Sequence, residues 1–595
     1  MLADGLLCAL IAVVALVPLA GAPKEPKGDP KDARTQLHAL FDEEWEFELS
    51  ENPLAATAVG EHRWDDKLPS VRVADEARRA DARRRFRERL LAIDAGALEE
   101  TDRESSLLLR RELEDAIQAF ELHGYRFPIN SDSGFHIEFA QLPQDVPLTT
   151  TRDYENYIAR LRVFPEYARQ NVELLREGLA TGWTLPRVTL EGYEGTIAAH
   201  VVADPKQSRF YAPFAAFPAG MIKADRARLR AEGEKAIQEQ IVPGYRMFLE
   251  FMTREYMPRA RKTVGASDLE GGRDYYAYLI RHFTTLDRTA EQIHALGLEE
   301  VRRIRAEMDD VIRQTGFSGS FADFLKFLRT DPRFYAKTPE ELLKQAAWIA
   351  KKIDGKLPSL FGRLPRQPYG VEPVPAEIAP KYTGGRYVPA PPDSKRAGIY
   401  WVNTYALQTR PLYVQESLTL HEAVPGHHLQ IALAKELSDL PKFRRFLYID
   451  TFGEGWGLYS EHLGLEMGLY TDPYSNFGRL TYEMWRACRL VVDTGLHAKG
   501  WTRQQAIDYL AANTALSLHE CTTETDRYIA WPGQALAYKI GELKIRELRR
   551  RAEEVLGPRF DVREFHDRVL SGGTVTLPIL EARIDAYIRA RRAAG

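Results

Sequence analysis

HEAVPGHH, running from His421 to His428, is the stretch on which the reading of this chain turns, and GEGWGLYSEH, from Gly453 to His462, is its partner. A His-Glu pair, another His shortly after it, and a Glu opening a later helix are how a zinc hydrolase builds its site. In the usual HExxH spacing the two His stand four residues apart on one helix. They then lie about 40° apart in projection, and both imidazoles reach one ion. The Glu beside the first His takes a proton from the attacking water.

The spacing here is different. The next His after His421 are at i+6 and i+7, His427 and His428. In an unbroken helix i+6 lies about 240° round, and i+7 is roughly 10.5 Å along the axis. Neither could share a zinc with His421 at about 2.0–2.1 Å per nitrogen. The sequence therefore predicts an interrupted helix. Pro425 lacks an N–H and clashes with the preceding turn, and Gly426 permits unusual dihedrals. A two-residue bulge at Pro425-Gly426 brings His427 to where i+4 normally sits, so His427 is favoured as ligand and His428 is the alternative.

Glu454 starts an apparent helix with apolar positions at Trp456, Leu458, Tyr459 and Leu463. It completes a His₂Glu set and leaves the fourth zinc position open. Glu461, two turns further along the same face, is the alternative ligand or a group holding an imidazole N–H. The plainer readings are surface histidines on a helix–turn and a helix-terminal Glu answering the dipole. Three of the chain's 14 His fall within eight residues in an apolar context, which weighs against the first of these.

The segments HEAVPGHHLQ, FGEGWGLYSEHLG, RACRLVVDTGLHAKGW and DRYIAWPGQALAYKIGELKIRELR, in that order, resemble the bacterial family catalogued as domain of unknown function 885. The resemblance runs from about residue 36 to the C-terminus. In that family the first motif reads HExxPGHxxQ, which implies that its second His is His427. EGWGLYSEHLG is also similar to the NEGFAxYxExLG segment of gluzincin aminopeptidases. That resemblance implies that Glu454 binds zinc.

At 595 residues and 44% apolar content the chain buries a large core and is long enough for two or more domains. The formal net charge is −4, with Lys+Arg 81 against Asp+Glu 85, and nothing in that balance points to nucleic acid or an anionic membrane surface. Residues 1–22 read as a secretory signal peptide with an apolar run from Leu6 to Leu19, too short for a stable membrane span unless the segment is retained as an anchor. Export to the periplasm or exterior follows. Cys8 sits inside the apolar run rather than after it, which speaks against a lipoprotein. Cys488 and Cys521 show no ligand pattern and read as buried thiols.

Residues 23–35 read as a Pro- and charge-rich linker. From 36 to 360 the pattern is helical nearly throughout, as in Val73–Leu122, Asp153–Leu179, Lys223–Thr253, Thr289–Thr315 and Pro339–Ile353. The arginine cluster Arg83–Arg89 reads as a solvated helix face. The remainder, 361–595, is the catalytic zinc-binding half. Its first fifty residues are rich in Pro and Gly, with short β-like runs at Arg386–Val388 and Gly398–Asn403. They predict a small sheet beside the cleft, its edge able to hold an extended peptide, with Asn403 a substrate contact or a turn residue.

Tyr482–His497 reads as a helix with Arg489, Asp493 and His497 on one face. Asp493 is placed to orient an imidazole and His497 to stabilise a transition state, or the three form a buried stack. Tyr528 and Tyr538 compete as oxyanion donor, and Arg527 is the cation for a substrate carboxylate. Altogether the sequence predicts a mainly α, large helical metallopeptidase-like fold with a small sheet. His421, His427 and Glu454 would hold Zn²⁺, with Glu422 as general base, and the substrate would be a small peptide or other small amide. An amidase acting on a non-peptide or cell-wall amide, and a non-catalytic binding protein, are the rival readings.

Overall fold

The computed structural model describes residues 30–593 apart from 132, 377 and 391–395; the expected signal segment and most of the expected linker lie outside the described residues. The linker is shorter than its composition indicates. Residues 30–35 already belong to the first helix, α1 (Pro30–Glu51).

The fold is mainly α-helical, as the periodicity predicts. Val73–Leu122 divides into α2 (Val73–Leu91) and α3 (Glu100–Glu121) around a short 3₁₀ turn. Three arginines of the Arg83–Arg89 cluster form ion pairs, Arg83 with Glu48, Arg84 with Asp81 and Glu121, and Arg89 with Glu43. The long helix α4 (Thr151–Thr181) starts where Thr150 and Asp153 form a reciprocal capping box, and α5 (Ala290–Thr315) starts at a second one, between Thr289 and Gln292. Next come α6 (Pro339–Asp354) and the sheet, with β1 (Tyr369–Pro373), β2 (Gly385–Val388) and β3 (Gly398–Val402). Strand order is β1-β3-β2. β1 runs parallel to β3 with Tyr369 opposite Gly398, and β2 runs antiparallel with Gly385 opposite Val402.

The helices that carry the site follow: α7 (Gln415–Glu422), α8 (His427–Lys435), α9 (Asp450–Glu466), α10 (Pro473–Ala498), α11 (Leu518–Ala530) and α12 (Ala537–Leu556). The cores cross residue 360. One apolar cluster joins Leu37, Leu108 and Ile353 to Leu420, Trp456 and Leu548. A second joins Ile304 and Phe324 to Met484 and Tyr528. Helices α9 and α12 cross with almost no side chain between them, since a Cβ on Gly455 would stand 2.5 Å from the Gly541 Cα. A buried charge knot ties α5, α10 and α12. Lys539, completely buried, meets Glu300, Glu483 and Glu542 at 2.8–3.1 Å, and Arg303 also pairs with Glu483. A buried ammonium is tolerated only with such partners. Cys488 and Cys521 are buried free thiols. No described helix is long and apolar enough to cross a membrane.

Candidate functional site

The helix break predicted at Pro425-Gly426 is present and longer than two residues. α7 ends at Glu422, residues 423–426 form a turn, and α8 begins at His427. The Gly426 N–H donates to the Leu420 carbonyl at 3.0 Å and the His428 N–H to the Ala423 carbonyl at 3.1 Å. A side chain at 426 would strike the His421 carbonyl, so only glycine closes this turn. From α9, the Trp456 indole N–H bonds the Pro425 carbonyl at 2.8 Å and pins the turn to the helix that carries Glu454.

This geometry separates the two histidines. His427 Nε2 lies 3.2 Å from Glu454 Oε2, and His421 Nε2 lies 3.3 Å from the same oxygen. The two rings stand 4.8 Å apart at 87°. One donor atom from each of His421, His427 and Glu454 lies within 4.8 Å of the others, a cluster that could hold one cation. His428 faces the other way. Its Nδ1 is 3.0 Å from the Tyr387 hydroxyl, its ring packs on Tyr369, and burial lowers its pKa to about 4.

Glu461 does not join the three donors. Its Oε1 lies 2.8 Å from His421 Nδ1 and 3.4 Å from an Arg486 nitrogen, so it holds the far side of that imidazole. His427 Nδ1 has no hydrogen-bond partner among the described residues. Burial raises the Glu454 pKa, but the neighbouring imidazoles of His427 and His421 overcome it and hold the carboxyl well below the usual range. Burial acts to lower the pKa of His421, yet its bonds to Glu454 and Glu461 carry it up to about 9. Gly457 makes room for that ring: a Cβ there would stand 2.7 Å from His421 Cε1.

Glu422, at the end of α7, accepts the Tyr387 N–H on Oε2 at 2.8 Å. The outer edge of β2 is thereby anchored to the residue next to His421. Tyr538 stacks on His421 with ring centroids 6.2 Å apart, and its hydroxyl lies 3.4 Å from Arg527 Nη2. Arg527 also donates to Gln534 at 3.0 Å and lies 3.6 Å from Glu524. A cavity of about 280 Å³ is walled by Phe127, Tyr275, Phe283 and Trp531 among others, and the Arg527 guanidinium is 5.6 Å from the Trp531 ring.

These contacts decide against four of the functional roles that the sequence offered. The Tyr528 hydroxyl is buried against Trp485 Nε1 at 2.7 Å and Arg489 Nε at 2.9 Å, so it is not available as oxyanion donor. His497 has both ring nitrogens on the backbone, Nδ1 accepting from Ala266 N–H and Nε2 facing the Tyr528 carbonyl, each at 3.0 Å. It is a structural histidine. Asp493 accepts from the Tyr276 hydroxyl and the Gly533 N–H rather than from an imidazole of the cluster. Asn403 is fully buried, its amide donating to three carbonyls between Ala379 and Thr383 and its oxygen accepting from Tyr405 N–H, which leaves nothing for a substrate.

Other residues reach the site without any motif to announce them. Tyr448 is half-exposed as a side chain, yet burial and the nearby Glu454 and Asp450 carboxylates push its hydroxyl pKa well up. Asp450, one turn before Glu454 on α9, has its pKa raised by burial and by the Glu454 charge. The i, i+4 spacing from Asp450 to Glu454 was the one available sequence signal.

The fold and site thus define a class, a mainly helical protein with a buried His₂Glu donor cluster beside the edge of a small sheet. The chain belongs to the bacterial family of unknown function DUF885, whose pattern matches residues 53–584. It is similar to the crystal structure titled "putative lipoprotein" from Colwellia psychrerythraea, with 29% identity and a TM-score of 0.88 over 94% of this chain and 99% of that one. A "putative lipoprotein of unknown function" from Shewanella oneidensis shares the fold, at 18% identity and a TM-score of 0.67 over 92% and 99% of the two chains. No curated protein matches the chain.

Proposed function

We propose that this protein is a zinc-dependent metallohydrolase of gluzincin type, a peptidase of small peptides. The observation that carries the reading is the single Glu454 oxygen facing both His421 and His427 at 3.3 and 3.2 Å, with a second carboxylate, Glu422, next to His421 in the chain. Two imidazoles and a carboxylate are the donor set of catalytic zinc sites, and Glu461 on His421 Nδ1 matches the carboxylate–imidazole pairing that sets a ligand's tautomer. The similarity of EGWGLYSEHLG to the gluzincin segment supports the same assignment.

Bound zinc would supply Lewis acidity, polarising a scissile carbonyl and easing deprotonation of water. The chain's own residues do the rest. Glu422, steadied by the Tyr387 amide, takes the proton from water and returns it to the leaving nitrogen. Tyr538, stacked on His421, donates its hydroxyl to the developing oxyanion. Export fits the apolar N-terminal run and the word "lipoprotein" in the titles of both structural relatives.

The test is metal content of the purified chain by elemental analysis, beside His427→Ala and His428→Ala, with a peptide-library digest of each. The expected result is about one zinc per chain, kept in His428→Ala, lost in His427→Ala, with cleavage following the metal. Absence of zinc after supplementation would sink the mechanism. Cleavage confined to non-peptide amides would make the protein an amidase.

A further inference from the structure

The cavity of about 280 Å³ is built from stretches far apart in sequence, among them 127–138, 261–283 and 529–532. One part of its wall is a face of the helix Gly272–Thr284, on which Tyr275, Leu279 and Phe283 recur every fourth residue. Trp531, just past the end of α11, meets Phe283 edge-on with ring centroids 6.2 Å apart, and Phe127 lies 6.2 Å from Tyr275. The turn after Trp531 is pinned, since the Gly533 N–H donates to both oxygens of the buried Asp493 at 3.1 and 3.2 Å. Trp531 nonetheless keeps 37% of its surface exposed.

The lining also holds two charged residues of opposite sign, Glu138 and Arg261, which form no ion pair with each other. Arg261 donates from Nε to the Thr184 carbonyl at 2.8 Å, and from Nη1 to the Thr263 and Gly265 carbonyls at 3.1 and 2.6 Å. Leu185 and Ala266, next in the chain after Thr184 and Gly265, are themselves lining residues, so the guanidinium is built into the wall. Its Nη2 has no hydrogen-bond partner among the described residues. Glu138 lies on the water-accessible side of a short helix whose Phe135 and Phe139 are buried. Its carboxylate has neither hydrogen bond nor ion pair among the described residues.

Aromatic walls with a few polar groups at their margin are how small-molecule sites are built. An apolar cavity of about 150 Å³ holds a benzene ring, so this one has room for a ring and a short polar chain. Rings that meet edge to face in the wall can take a further ring in the same way. A ligand with one charge would leave either Glu138 or Arg261 covered without a partner, and one with both charges satisfies the two together. We propose that this cavity binds a free amino acid with an aromatic side chain, its ring against Phe283 and Trp531, its ammonium group at Glu138 and its carboxylate at Arg261. The assignment uses no residue of the His421 cluster and is independent of how that cluster is read.

The test is calorimetric binding to the full chain, with phenylalanine, phenethylamine, phenylpropionate and alanine as probes. The last three lack the carboxylate, the ammonium group and the ring in turn. Phenylalanine is expected to bind roughly ten- to a hundredfold tighter than each of them, the usual worth of a charged hydrogen-bonded contact or of a buried ring. Glu138→Gln should remove the advantage over phenylpropionate, and Trp531→Ala should cut the advantage over alanine about tenfold or more. Both residues are exposed, so neither change threatens folding. Arg261 supports the wall, and its contact is therefore read from phenethylamine rather than from a substitution. No binding of phenylalanine, or a probe lacking one group that binds as tightly, would overturn the site. Phenylalanine binding untouched by both Glu138→Gln and Trp531→Ala would place the ligand elsewhere, at the His421 cluster first of all, and would overturn it equally.

Discussion

Glu461 Oε1 lies 2.8 Å from Nδ1 of His421, across the ring from the Nε2 that faces Glu454. Three acidic or basic groups, Glu454, His421 and Glu461, therefore stand in one line from α9 through α7 and back to α9. The far carboxylate sets which nitrogen of His421 is left bare toward Glu454 and His427. Glu461→Ala is expected to weaken zinc binding roughly 10–100-fold, the usual effect of removing such a partner. Competition against a chelator of known affinity measures it. Unchanged affinity would mean that the ring is held by packing alone.

The two tyrosines predict opposite outcomes. Tyr538→Phe should lower kcat by roughly 10²–10³, the range for losing an oxyanion donor, with little change in thermal midpoint. Tyr528→Phe strands the Trp485 and Arg489 donors in a buried setting. It should cost about 1–3 kcal/mol of stability, read as a urea midpoint. A kcat loss confined to Tyr528→Phe would reverse the assignment.

Two glycines of α9 separate the site from the fold. A Cβ at Gly457 meets the His421 ring at 2.7 Å, whereas one at Gly455 meets the Gly541 backbone at 2.5 Å. A side chain can give way more easily than a backbone. Gly457→Ala is expected to lose zinc while it stays folded, and Gly455→Ala to lose about 1–3 kcal/mol or more through overpacking. Metal content beside thermal melts distinguishes them.

Acid should unfold the protein early. Burial lowers His497 and His566 from the ordinary 6.5 to about 3. His566 is wedged between the Leu360 carbonyl and the Tyr459 hydroxyl, at 2.8 Å from each, a setting made for the neutral ring. With folded values depressed, the unfolded chain binds protons first. The stability these rings contribute is whole above about pH 6.5 and lost as pH falls toward 3. Each adds a slope of about 1.4 kcal/mol per pH unit inside that window. Urea midpoints between pH 7 and 4.5 should fall, and fall less steeply in His566→Gln.

Much of this was legible in residue order. Helical periodicity over Asp153–Leu179 and Thr289–Thr315 marks α4 and α5 to within two residues at each end. Pro425 and Gly426 forced a break between His421 and the later histidines because a regular helix cannot bring them together. Glu454 was legible because its segment carries the motif. β1, by contrast, left no clear signal in a Pro-rich stretch, and it pairs with β3 only across the sheet.

Tertiary structure separates neighbours between which the sequence offers only a preference or none. His427 and His428 differ by one residue, about 100° of rotation, and the choice was made by Tyr369 and Tyr387, which claim His428 from strands far back in the chain. The same holds for Tyr538 over Tyr528, since Trp485 and Arg489 of α10 consume the latter's hydroxyl. Asn403, Asp493 and His497 look like site residues by type and position, and each is spent on backbone or buried groups from other elements. Tyr448 carries no motif, and its place beside Glu454 comes from packing. Local sequence determines where a helix starts, stops or breaks because those forces act within a turn. Which polar atom is left free is settled by partners that only the folded chain brings within 3 Å.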